Sequence, residues 1–379
     1  MIVLGGETMS SRRLARRLDS ISIARDPQRI VLIKSHSAGV GDILRSSAAW
    51  AALHRRWPAA ELHLLFLTRW PGYPSESLIQ SHYLLRSAHF LPLIEGRFAG
   101  MRGVGPKGWS TLLPPLRRLG REIQPDLIVD HEAHGIETSI AARVLRAGSP
   151  GAVTVGLAQV PGRGCLYDLA GPSLRRYAQA RGLPDPMDYT ERDFAALTAL
   201  GIERNGQQIT LEVGEDGLAW QAAHPRQPGE WRIVLNIGCG TPDALPKRPD
   251  LDLLVEALQP EALGHPFSLW LTGAANEFEI NEDFLHRYRQ RYSAPVPLHN
   301  LAGAGSLDLL AGVLADADLC VSSDSGPYHM AVALGVPTIA LFRWANPAHY
   351  HQAPHVQILV DPASTDLRVA LHTLLPTTE

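Results

Sequence analysis

Short, unbroken apolar runs alternate along this chain with longer amphipathic stretches, the pattern of buried parallel strands separated by helices. The first run is Arg29-Ile-Val-Leu-Ile-Lys34, followed by a small-residue loop from Ser35 to Gly41. A helical pattern is predicted from Asp42 to about Trp57, closed by Pro58, and a second strand from Glu61 to Leu67. This strand–loop–helix–strand order opens a parallel α/β sheet. Further strands are predicted at His89–Leu93, Pro125–Asp130 and Ala152–Gly156. A polar, turn-rich stretch then intervenes, and a second series begins at Trp231–Ile237. It continues at Phe267–Leu271, Val296–His299, Asp318–Val321 and Thr338–Phe342, with helical patterns at 250–262, 277–292, 306–315 and 326–334. The predicted organisation is a basic extension (1–27), one Rossmann-like domain (28–205), a connection (206–230) and a second Rossmann-like domain (231–379). Ligands of such sheets sit in clefts at the strand ends.

Composition agrees with this picture and narrows the function. A chain of 379 residues with 45% hydrophobic content is long enough for two cores. Lys plus Arg (35) nearly balances Asp plus Glu (38), which gives no case for a nucleic-acid partner. Cys165, Cys239 and Cys320 are far apart and odd in number, a usage that fits a reducing cytoplasm. No apolar stretch approaches the roughly 20 residues of a membrane span. Arg12, Arg13, Arg16 and Arg17 alternate with Leu14 and Leu18, a pattern that reads either as a solvated extension or as a basic amphipathic helix on an anionic membrane.

Several segments carry candidate chemistry. Gly39 and Gly41 permit close backbone approach, and Asp42 follows at the start of a helix, either as a cap or as a general base. The run Gly39-Val-Gly41-Asp-Ile-Leu44 lacks the third glycine of a dinucleotide fingerprint, which weakens a dehydrogenase reading. Gly100 to Lys107 is no phosphate loop, because proline and glycine flank the lysine. Arg97, Arg102 and Lys107 remain candidate contacts to an anionic acceptor, beside the plainer reading of a solvated loop. The segment from Ala317 to Phe342 reads as strand, turn, helix, glycine stop and strand. Its Asp324-Ser325-Gly326 turn places amides at a helix N-terminus, an arrangement suited to phosphate, with His329 one turn further on. His131 and His134 lack the spacing of a zinc helix, and no metal is expected. His349, His351 and His355 stay undecided.

These residues resemble glycosyltransferase family nine, the heptosyltransferases. Five segments carry the likeness in order: IVLIKSHSAGVGDILRSSAAWAALHRRWPAAELHLL, LIVDHEAHGIETSIAARVLRAGSPGAVTVGL, Asn236 through Thr241 to Lys247, Leu271 to Glu277, and Leu301 to Leu307 leading into the Asp324 block. The resemblance implies an α/β GT-B fold and an ADP-heptose donor, with no cofactor. It implies inverting transfer to a hydroxyl of a lipopolysaccharide core or related glycan or glycolipid. It assigns Asp42 as base with Gly41 beside it on the acceptor side, and Lys247 to phosphate. Glu277 falls near the ribose, and Thr241, Asp324, Ser325, Gly326 and His329 belong to the donor site. It also implies a cytoplasmic protein working at the inner membrane face. The chain departs from the family in a longer loop before Asp42, in Thr138 where a basic residue is usual, and in Arg343-Trp344-Ala345-Asn346 after Phe342. Rival readings are a GT-B enzyme for another sugar or acceptor, a nucleotide-sugar epimerase, and a non-catalytic nucleotide-binding module.

Overall fold

The computed structural model describes residues 25–36, 39–98, 101–240 and 242–375. Apolar runs satisfy their backbone only by pairing with one another, and here they do so in two parallel sheets. The first contains β1 (Arg29–His36), β2 (Glu61–Thr68), β3 (Ser87–Pro92), β6 (Leu127–Asp130), β7 (Val153–Leu157) and β8 (Leu169–Gly171), in the spatial order β3-β2-β1-β6-β7-β8. The second contains β9 (Trp231–Asn236), β10 (Phe267–Leu271), β11 (Leu298–Asn300), β12 (Leu319–Ser323), β13 (Thr338–Phe342) and β14 (Val356–Val360), in the order β11-β10-β9-β12-β13-β14. Each chain path runs outward from its first strand, then returns and runs outward on the other side. The reversal leaves a crevice at the carboxyl ends of β1 and β6, and another at those of β9 and β12.

The differences from expectation have local causes. The helix predicted from Asp42 to Trp57 is two, Val40–Leu44 and Ser47–Arg56. The Ser47 hydroxyl donates to the Leu44 carbonyl at 2.6 Å, and the Ser46 amide bonds Ile43 in a tight turn. Arg97 and Arg102, expected on a loop, lie on an antiparallel ribbon of β4 (Glu95–Phe98) and β5 (Met101–Val104). The connection holds a helix, Glu215–Ala223, packed on Leu307–Ala315 where Gly217 and Gly312 meet. A side chain on Gly312 would come within 2.4 Å of the Gly217 backbone. Edge strands β8 and β14 escape prediction because one is three residues long and the other is only partly buried.

One apolar cluster joins the halves, with Ile43, Leu44 and Trp50 from the first and Tyr328, Met330 and Val332 from the second. The helix Gly326–Ala333 lies against Val40–Leu44, so the two crevices face a common seam. Among the described residues no helix is long and apolar enough to cross a membrane. The basic segment around Arg12–Arg17 and Thr241 lie outside the described residues.

Candidate active site at the domain seam

The second crevice is built by the ends of β9 and β12. Ser325, at the start of the helix Gly326–Ala333, donates its hydroxyl to the Asn236 side-chain carbonyl at 2.9 Å, bridging the two strands. Its side chain therefore does not cap the helix, and Pro327 in the first turn has no amide to donate. The remaining first-turn amides and the helix dipole give this end a preference for negative charge. Asp324, just before them, is buried. Lys247 Nζ stands 2.8 Å from one of its oxygens, and His349 Nδ1 lies 2.9 and 3.0 Å from both. Burial opposes ionisation of Asp324, but the His349 and Lys247 contacts outweigh it and hold the carboxyl below its usual range.

Glu277, which the resemblance puts near the ribose, is engaged by backbone amides. It is 3% exposed, and its oxygens accept the amides of Gly240 at 2.6 Å and Ala274 at 2.7 Å. It braces the loops after β9 and β10 against each other, and any side chain on Gly238 would strike it. The clue in sequence is its position at the beginning of a helix, where a carboxylate reaches back to earlier amides.

The first crevice holds Asp42. Gly39 caps the helix Val40–Leu44, so Asp42 is a first-turn residue rather than the cap, and it is half-buried. Beside it lies a cavity of about 300 Å3 lined by Lys34, Asp42, Arg45, His131, Tyr189 and Arg192, among others. Lys34 pairs with buried Asp193 at 2.7 Å. The Lys34 charge and hydrogen bond keep Asp193 below its usual range against the effect of burial. His131 Nδ1 lies 3.1 Å from the Asp193 carbonyl, which can only accept, so Nδ1 carries the proton. Burial pushes His131 below its ordinary value, and its Nε2 has no hydrogen-bond partner among the described residues.

Three contacts bind the crevices together. Gly41 lies under the His329 ring so closely that a Cβ there would be 2.0 Å from it. Gly326 faces Val40, where a Cβ would find van der Waals contact at 3.4 Å. Arg45 donates to the carbonyls of Ala348 at 2.9 Å and His349 at 3.1 Å, while pairing with Asp188 at 3.0 Å. His329, expected to face an anion, has its Nδ1 2.8 Å from His351 Nε2. Burial, reinforced by the Arg45 charge, drives both imidazoles well below their ordinary value, and they stay neutral.

The seam thus gathers Gly41, Asp42, Lys247, Asp324, Ser325, Gly326 and His329. Lys107 is exposed and does not line the cavity. Arg97 and Arg102 face each other across the β4–β5 ribbon by backbone pairing, and their side chains lie outside the described residues. Sequence reasoning misses Lys34, Arg45 and Asp193 and leaves His349 undecided. Lys34 reads simply as the end of a strand, and His349 sits in an unpatterned His-Tyr-His run. Thr138 accepts from buried Arg163 at 2.9 Å, so an arginine from a distant part of the chain reaches this position.

Residues 258–362 match the model of glycosyltransferase family 9 (heptosyltransferase). The match includes Glu277, the Asp324 turn, His329 and His349. Among solved structures, a family 9 glycosyl transferase from Veillonella parvula superposes with a TM-score of 0.66 at 15% identity, over 93% of this chain and 99% of that one. The ADP-heptose lipopolysaccharide heptosyltransferase II of E. coli gives a TM-score of 0.61 at 17% identity, over 91% of this chain and 98% of that one. E. coli heptosyltransferase WaaC, solved with ADP-2-deoxy-2-fluoro heptose, gives 0.60 at 16% identity over the same shares of the chains. No curated protein sequence matches the chain. The fold is GT-B, and within its second domain residues 258–362 match the family 9 model.

Proposed function

We propose that this chain is an inverting glycosyltransferase that moves a heptose from ADP-heptose to a hydroxyl of a lipopolysaccharide core or related glycan. The observation that carries the reading is the meeting of Gly41 and His329. It brings the Asp42 loop of one crevice against the uncapped helix of the other. The diphosphate sits at the amides of Gly326–Ala333 beside Lys247, and the acceptor enters the cavity beside Asp42. Asp42 takes the hydroxyl proton as the acceptor oxygen forms its bond to the anomeric carbon. The bond from that carbon to the diphosphate breaks on the opposite face, and its electron pair leaves with ADP. One displacement inverts the configuration. Lys247 and the helix dipole offset the charge growing on the leaving group, and the closed seam excludes water. A cavity walled by Asp42 favours a transferase over a simple nucleotide-binding module. The acceptor class places the enzyme in the cytoplasm, at the inner face of the membrane.

Lys247→Ala is expected to weaken ADP binding more than His329→Ala does. Lys247 contributes a full charge and also offsets buried Asp324, whereas the His329 imidazole is neutral and occupied at the seam. Calorimetric titration with ADP decides the matter. Unchanged affinity in the Lys247 variant would remove this lysine from the phosphate site.

A further inference from the structure

We propose that His349 is a proton-linked ligand of the donor diphosphate, taking up one proton as the nucleotide binds. The inference rests on the donor site described above and adds to it a residue from the segment that diverges after Phe342. His349 holds both Asp324 oxygens through Nδ1 and is one-quarter exposed, while Nε2 makes no hydrogen bond among the described residues. A carboxylate accepts hydrogen bonds only, so Nδ1 is the protonated nitrogen of the neutral ring and Nε2 presents a lone pair. An ionised diphosphate also only accepts. It cannot pair with that lone pair, and it meets the negative Asp324 two residues before the helix amides it needs. A proton on Nε2 resolves both conflicts. The imidazolium donates Nδ1–H to Asp324 and Nε2–H to a phosphate oxygen, and the charge between the two anions is positive.

The ring is held for this task by both domains. Arg45 pins the His349 carbonyl and its neighbour, and Tyr189 packs edge-on with ring centroids 5.3 Å apart. The charged and titratable groups around it are Asp324, which favours the imidazolium, and Lys247 and Arg45, which oppose it. Arg192 stands behind Tyr189, and the neutral rings of His329 and His351 complete the surroundings. A bound diphosphate adds negative charge and tips the balance toward protonation.

The test is calorimetry of ADP binding to the full chain at pH 8, where the diphosphate is fully ionised, in two non-phosphate buffers of different ionisation enthalpy. The wild type should take up close to one proton, and its affinity should fall by up to about tenfold per pH unit above neutrality. His349→Gln, whose amide donates without a proton, should bind ADP with no uptake and a flatter pH dependence. A melting curve confirms that the variant is folded, and His349→Asn serves if it is not. Equal proton uptake in wild type and variant would overturn the role of His349 alone. Failure of the wild type to bind ADP at all would overturn the donor-site reading and this inference with it.

Discussion

Asp42→Asn should leave the chain folded and able to bind ADP, yet lower heptose transfer by about 10²–10⁴-fold, the usual cost of losing a general base. The substitution keeps size and hydrogen-bonding capacity in the first turn of Val40–Leu44, where Gly39 rather than Asp42 caps the helix. It removes the carboxylate's charge and its capacity to accept a proton while leaving the cap in place. Turnover of ADP-heptose with a lipopolysaccharide-core acceptor is the direct readout, with ADP titration as control. A variant within a few-fold of wild type would remove Asp42 from the chemistry and leave its carboxylate a helix-dipole residue.

Arg163→Ala should be the most destabilising of the changes considered, by about 3–5 kcal/mol, because it strands a buried carboxylate. Asp130, at the end of β6, is fully buried and lies 2.9 Å from Arg163, with the Tyr167 hydroxyl at 2.5 Å and the Glu132 amide at 2.9 Å. Burial raises its carboxyl above the usual range, while Arg163 opposes that shift. Removing both partners of the pair, in Asp130→Asn with Arg163→Met, should recover much of the loss. Urea unfolding of the single and double variants measures it. A double variant as unstable as the sum of the single changes would mean that the pair is not coupled.

The strands were legible where the chain is most apolar. Phe267–Leu271 and Thr338–Phe342 run buried from end to end, and periodicity alone places both within their observed limits. The helix break at Arg45 and Ser46 was not legible, because no proline or glycine marks it and it rests on the Ser47 hydroxyl and the Ser46 amide turning back onto Leu44 and Ile43. Asp42 and the Asp324 turn were legible as glycine and carboxylate at a strand–helix junction, a pattern that an ordinary helix cap shares. Glu277 was found for its type but not for its surroundings, since only the fold reveals that two amides occupy it. His349 carries no local pattern. Its meaning comes from an aspartate 25 residues earlier and an arginine from the other domain.

Nucleotide preference tests the central claim most directly. The helix amides of Gly326–Ala333 recognise negative charge rather than a base, so discrimination falls to the loops after β10 and β11. A ligand at roughly 100 times its dissociation constant raises stability by about 2.7 kcal/mol, enough to separate nucleotides by melting temperature. With ADP, UDP, GDP and CDP compared at equal concentration, ADP should give the largest upward shift. A clearly larger shift with UDP or GDP would contradict the ADP-heptose assignment.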